Sequence, residues 1–165
     1  MIPLFLSAML LLSCQKELPF SPAQARVMTV RADQTESVMR IADDARDTLP
    51  GFFRHVTMKN TGESHFCVKY PLAANDNSGV NIEHLWLTNI RFKNGRYSGS
   101  LANTPLHING RKKGDIVTFN PDDIIDWMYI RGGKIIGGDS IKYLLEQTPD
   151  QQLSAAEQKI LHMFD

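Results

Sequence analysis

Short strands joined by tight turns, with helical periodicity at both ends of the chain, predict an α+β domain with a mainly antiparallel sheet. Three observations carry this. The Asn94-Gly95 pair separates two strand-like runs, Ile82 to Lys93 and Arg96 to Leu101. Asn-Gly suits a two-residue turn with positive φ at both positions, which joins antiparallel neighbours. Gly132-Gly133 plays the same part between Trp127 to Ile130 and Lys134 to Ile136. Amphipathic stretches then lie before the first strand and after the last, so helices flank the sheet on the N-terminal and C-terminal sides.

Taken in order, Val38, Ile41, Ala42 and Ala45 recur at helical spacing between Asp33 and Asp47, with charges on the other face. Pro50-Gly51 is expected to stop that helix. Strand-like runs follow at Phe52 to Lys59, His65 to Pro71, Ile82 to Phe92, Arg96 to Leu101 and Asp115 to Phe119. The turn signals Asn60-Thr61-Gly62, Asn75 to Gly79, Asn94-Gly95 and Asn109-Gly110 separate most of them. Pro121 with Asp122 and Asp123 begins a short helical turn before the second hairpin. Asp139 or Ser140 can cap a helix reaching Gln147, and Ser154 with Glu157 makes a capping box for a last helix ending near Phe164. The chain shows no internal repeat and no low-complexity tract.

The N-terminus is a different kind of segment. Met1 to Leu12 is apolar and uncharged and ends in Leu12-Ser13-Cys14. Such a run is too short to cross a hydrocarbon core of ~30 Å as a helix but fits the apolar region of a signal peptide. Leu11-Leu12-Ser13-Cys14 resembles the bacterial lipobox, whose cysteine is acylated and becomes the mature N-terminus. That resemblance implies a lipid anchor at Cys14. Two or three acyl chains, at ~0.8 kcal/mol per buried methylene, hold where one is marginal. Gln15 in place of Asp favours, by the same resemblance, the periplasmic side of the outer membrane. The expected organisation is a signal peptide over 1–13, a lipidated spacer over 14–31 and one domain over 32–165. Two features favour other readings: the leader has no Lys or Arg, and Ala23-Gln24-Ala25 fits ordinary signal peptidase. Cleavage after Ala25 would release a soluble periplasmic or secreted protein. A cytoplasmic protein with an apolar N-terminus is the third reading.

Composition narrows the partners. Eighteen bases balance eighteen acids, so net charge gives no electrostatic case for nucleic acid or anionic lipid. The membrane through Cys14 and a protein in the envelope are the expected partners. With Cys14 acylated, Cys67 is the remaining thiol, and its setting in Phe66-Cys67-Val68 predicts a buried, inert side chain without a disulfide.

The middle of the chain reads Glu83-His84-Leu85-Trp86, Arg91-Phe92, Tyr97-Ser98-Gly99, Leu101 to Pro105, Gly114 to Phe119, Ile125 to Tyr129 and Gly137-Gly138. This resembles the bacterial family called domain of unknown function 2314, whose members carry E-H-x-W, G-D-x-V-x-F and D-W-M-Y elements in this order. The resemblance covers about 66–145. It implies no activity, and some members of the family are exported proteins or lipoproteins.

Candidate chemistry is sparse. Glu83 and His84 are adjacent, so on a strand they point to opposite faces, while His84 and Trp86 share one. Either that face or the Glu83, Leu85, Leu87 face is presented to solvent. Asp126 follows Ile124-Ile125 at a junction where turn N–H groups need acceptors, so capping is its expected role. The catalytic alternative, a hydrolase or lyase, joins His84 with Glu83 or Asp126 as an acid and base. Binding candidates are His84, Trp86, Asn103 and Trp127, although Asn103 and Pro105 also suit a turn and the aromatics a core. His55, His65, His84, His107 and His162 lack the spacing of zinc ligands, and no calcium loop, nucleophile elbow or phosphate loop appears. No metal or cofactor is expected. The leading expectation is a non-enzymatic binding module, with a purely structural one as a further reading.

Overall fold

The computed structural model describes residues 35–58, 60–77 and 79–164. The expected leader, the lipid site at Cys14, the spacer and the alternative cleavage site at Ala25 lie outside the described residues. Helix α1 (Thr35–Met58) leads into β1 (Glu63–Ala73), β2 (Ile82–Lys93), β3 (Arg96–Leu101) and β4 (Ile116–Phe119). A 3-10 turn (Pro121–Asp123) precedes β5 (Asp126–Arg131) and β6 (Lys134–Gly137), and then α2 (Asp139–Glu146) and α3 (Ala155–Leu161) follow. The six strands form one sheet in the order β4-β3-β2-β1-β5-β6, every pair antiparallel. This is the α+β fold expected from the turn signals, with α1 before the sheet and α2 and α3 after it.

Strand alternation divides the sheet into two apolar faces. On one, Val68, Leu85, Leu87, Leu101, Val117, Phe119 and Tyr129 pack with Leu49 and Phe52 of α1. On the other, Cys67, Trp86, Met128 and Ile135 pack with Ile141 and Leu145 of α2 and Ile160 of α3. Successive residues of β1 therefore serve different cores: Cys67 and Val68 are both fully buried, on opposite sides. No helix among the described residues is long and apolar enough to cross a membrane.

Both predicted hairpins form. Lys93 pairs with Arg96 around Asn94 and Gly95, whose φ values of 52° and 74° are those the two-residue turn demands. Arg131 pairs with Lys134 around Gly132 and Gly133. The capping box is also present, with Glu157 N–H donating to Ser154 Oγ at 3.3 Å and Ser154 N–H to Glu157 Oε2 at 2.8 Å.

Two expectations are corrected. Helix α1 does not stop at Pro50-Gly51; it contains Pro50, and Phe52 through Met58 is helix rather than strand. Leu49, Phe52, Phe53 and Val56 recur at helical spacing and pack on the sheet. Burying side chains of this size gives about 1.5–3 kcal/mol each, which together exceeds the ~3 kcal/mol an interior proline costs. The second correction is the start of α2: Gly138 is the N-cap, without a side-chain cap hydrogen bond, and Asp139 and Ser140 lie inside the helix. The acceptor comes instead from another strand: Asp126 of β5 accepts the Ser140 N–H.

Candidate functional site

Strand register brings together residues far apart in sequence. Lys69 on β1 is paired with Trp86 of β2 on one side and with Asp126 of β5 on the other. Directly opposed residues of antiparallel strands share a face, so Trp86, Lys69 and Asp126 form a row beneath α2. His84, paired with Pro71, stands in the next row of the same face. All of Lys69, Trp86 and Asp126 are buried, and His84 is half-buried.

Helix α2 closes over this row. Gly137 and Gly138 have φ values of 73° and 75°, a left-handed pair that turns the chain from β6 into the helix. A Cβ on Gly137 would lie 2.3 Å from the Trp127 carbonyl oxygen, so only glycine fits. The turn delivers Ser140, whose N–H donates to Asp126 Oδ2 at 2.8 Å, while Trp127 N–H donates to Oδ1 at 2.7 Å. Lys69 Nζ donates to Ser140 Oγ at 3.1 Å and lies 5.7 Å from the Trp86 ring centroid, within cation–π range.

Burial sets the protonation tendencies. It pushes the Asp126 carboxyl up to about 6, against the opposing pull of the Ser140 hydrogen bonds and the Lys69 charge. It pulls the Lys69 ammonium below its ordinary range, with Asp126 opposing. Burial first, and then the Lys69 charge, brings His84 down to about 4, so its ring is neutral at pH 7. Cys67 is buried, and its thiol is pushed up to about 12, which removes it as a nucleophile. Among the described residues no buried side-chain nitrogen or oxygen lacks a hydrogen-bond partner. Ser140 is 1% exposed. Its hydroxyl stands beside an amine but faces no solvent, and the row acts as a satisfied polar stitch between helix and sheet.

Glu83 lies on the opposite side of β2 from His84, as strand alternation requires. Its carboxylate is buried and accepts Leu106 N–H at 2.9 and 3.1 Å and His107 N–H at 2.9 Å. The loop after β3 is thereby anchored. Asp76 holds His107 Nδ1 at 2.9 Å, and Asn75 Oδ1 accepts Asn109 N–H, so two loops are clamped at this end of the sheet. Leu106 projects from the clamped loop at 64% exposure and Ile82 beside Glu83 at 56%.

The sequence-predicted residues thus separate. His84 and Trp86 share a face with Asp126, but among the described residues no hydrogen bond joins His84 to Glu83 or Asp126. Neither face of β2 at Leu85 and Trp86 is open to solvent, because α1 packs on one side and α2 with α3 on the other. Trp127 is on the α1 face, its Nε1 donating to Ala45 O and Thr48 Oγ1 at 3.1 Å each. Half-buried Asn103 sits in the loop that Glu83 anchors, its amide 3.5 Å from Thr104 O. Lys69 is absent from the residues the sequence marks, and Ser140 is marked there only as a candidate helix cap. A lysine within Phe66-Cys67-Val68-Lys69-Tyr70 and a serine just after Gly137-Gly138 were the available signals.

Comparison with known proteins gives one family and two relatives. Residues 35–161 match the family described as "Uncharacterized protein conserved in bacteria (DUF2314)". An uncharacterized protein of Escherichia coli K12, YegJ, is 33% identical over 96 residues, covering 58% of this chain and 60% of that one. A putative ankyrin repeat protein of Neisseria meningitidis serogroup B is 28% identical over 121 residues, covering 71% of this chain and 48% of that one. The chain therefore spans about three fifths and about half of the length of these relatives. No solved structure matches.

Proposed function

Because the chain belongs to the DUF2314 family of uncharacterized bacterial proteins, whose name assigns no reaction, we propose from the geometry that it is a non-enzymatic interaction module. The observation that carries this is the use made of its two motif carboxylates. Glu83 holds the N–H groups of Leu106 and His107, and Asp126 those of Trp127 and Ser140. A general base must have a lone pair within reach of a substrate proton; these carboxylates point into backbone instead. A clamped loop presenting exposed Leu106 suits protein recognition, where rigid apolar anchors carry most of the binding energy.

The proposal includes an address. Met1 to Cys14 has the pattern of a lipoprotein leader, which would tether the domain to the periplasmic side of the outer membrane. Palmitate labelling of the full chain tests it: label that disappears in Cys14→Ser supports the tether, and an unlabelled wild type sinks it. Affinity capture from membranes tests the module. A specific partner retained by wild type and lost by Leu106→Ala, with the circular dichroism unchanged, is the expected result. A hydrolytic activity abolished by His84→Ala would displace this reading in favour of the enzymatic one.

A further inference from the structure

The balance of eighteen bases and eighteen acids conceals a segregation along the chain. Between His84 and Gly114 stand Arg91, Lys93, Arg96, Arg111, Lys112 and Lys113, and no Asp or Glu. All six side chains are exposed, and none forms an ion pair among the described residues. Topology gathers them at two places. Arg91, Lys93 and Arg96 surround the tip of the β2–β3 hairpin, and Arg111 to Lys113 lie in the loop at the far end of β3. The six residues of β3 separate the two groups by roughly 20 Å at ~3.3 Å per residue.

Between them lies a part of the sheet that no described helix covers. Helices α2 and α3 pack over Cys67, Met128, Ile135 and Trp86. Farther out, the same face carries Thr88 and Arg91 of β2, Ser98 and Ser100 of β3, and Ile116 and Thr118 of β4, as the pairings require. Arg91, Ile116 and Thr118 are exposed, Ile116 at 62%.

Among the described residues, no other strand pairs with the edge of this region. Strand β4 ends the sheet on one side. At the other edge, Ile135 N–H donates to Met163 O at 2.7 Å, so the C-terminal segment caps β6. Leu101 N–H donates to Asp115 O. By antiparallel alternation the ladder bonds then fall on Asp115, Val117 and Phe119, while Ile116 and Thr118 aim their N–H and C=O groups outward. The Ile116 carbonyl does accept an outside donor, Arg111 Nη1 at 3.3 Å. That places one of the six bases on the edge itself.

Resting on the interaction-module reading, we infer that β4 receives an acidic, extended segment of a partner protein as a seventh strand. Main-chain bonds to Ile116 and Thr118 supply the pairing, and the two basic groups meet carboxylates at either end of a segment of about six residues. The chemistry of the face favours a peptide over a single-stranded nucleic acid, because Thr88, Arg91, Ser98, Ser100, Ile116 and Thr118 offer no aromatic ring on which a base can stack. Phe92 and Tyr97 point to the other side, where Tyr97 stacks on Phe53 of α1.

Panning a random-peptide phage library against the full chain tests this. The expected peptides are rich in Asp and Glu, and they bind more weakly as salt rises. Two variants locate them. Arg111→Glu with Lys112→Glu and Lys113→Glu should weaken binding more than about tenfold. Thr118→Pro removes an outward N–H without touching the ladder, so it should fold normally and bind about tenfold more weakly. Peptides without acidic enrichment, or binding unchanged in either variant, overturn the proposal. So does tighter binding to a single-stranded oligonucleotide or to vesicles of anionic phospholipid. Neutral peptides that lose binding in Leu106→Ala would overturn this edge while leaving the interaction module standing; failure of membrane capture would remove the module itself.

Discussion

Lys69 is the residue on which the polar row depends, because it is opposed by Trp86 on one strand and Asp126 on the other and touches Ser140 on the helix above. Its neighbours give the row a pH dependence that can be worked out in sign. Asp126 is raised from 3.8 to about 6 in the folded protein, so the folded state holds its proton more tightly than the unfolded chain. The resulting stabilisation is fully present below the unfolded value of 3.8 and is lost as pH rises through 6. His84 works the other way: lowered from 6.5 to about 4, its contribution is present above 6.5 and is lost as pH falls through 4. Asp126→Asn keeps His84 and removes the first effect. Its urea-unfolding free energy, subtracted from that of wild type at each pH, should therefore shift in favour of the variant between pH 4 and 7, on the order of 3 kcal/mol. A flat difference curve would show that the carboxyl is not raised. Gly137 supplies a second residue-scale test. Gly137→Ala combines positive φ with a Cβ 2.3 Å from a backbone oxygen and should cost at least about 2 kcal/mol. Gly133→Ala, with open space around its Cβ, should cost about 1 kcal/mol by the same measurement.

At the scale of elements, α1 is where local and tertiary preferences disagree. Pro50 has no N–H to donate and crowds the preceding turn, which is why the sequence reads as a stop followed by a strand. Phe52 at 1% exposure, with Leu49, Phe53 and Val56 on the same stripe, holds the helix through that point. Pro50 itself is exposed, so replacing it removes a local penalty without opening the core. Pro50→Ala should raise stability by about 1 kcal/mol or more, seen as a higher thermal midpoint; a lower midpoint would mean that the proline is part of the packing. The hairpins show the opposite case. Their turn residues fix φ locally, and hence the register of β2 with β3 and of β5 with β6, so they were legible without any long-range contact. The start of α2 was not legible, because its acceptor, Asp126, arrives from a strand fourteen residues away in sequence.

For the whole molecule, a sheet covered on both faces ties two cores to one strand. Cys67 packs with Trp86 under α2 and α3, and the next residue, Val68, packs on the α1 side where Trp127 lies. Neither core can open fully while β1 keeps its place. Unfolding should therefore be one cooperative transition, as is usual for a domain of this size. The variants Trp127→Phe and Trp86→Phe each leave one tryptophan, reporting a different core. In either variant, fluorescence and far-ultraviolet circular dichroism should give the same urea midpoint. A midpoint that differs between the two probes in the variant retaining Trp86 would show that α2 and α3 detach first.

The fold class, both hairpins and the capping box of α3 follow from local sequence, because turn residues, strand alternation and capping are set within a few neighbouring positions. Local sequence also places Glu83 and His84 on opposite faces, since a strand allows nothing else. Tertiary structure decided which residues meet. Only the return of β5 to lie beside β1 puts Asp126 next to Lys69, and only the Gly137-Gly138 turn sets Ser140 above them. The same distinction governs the charges: a balanced total is a property of composition, whereas the exposed bases at the two ends of β3 are set beside β4 by the order in which the strands are laid side by side.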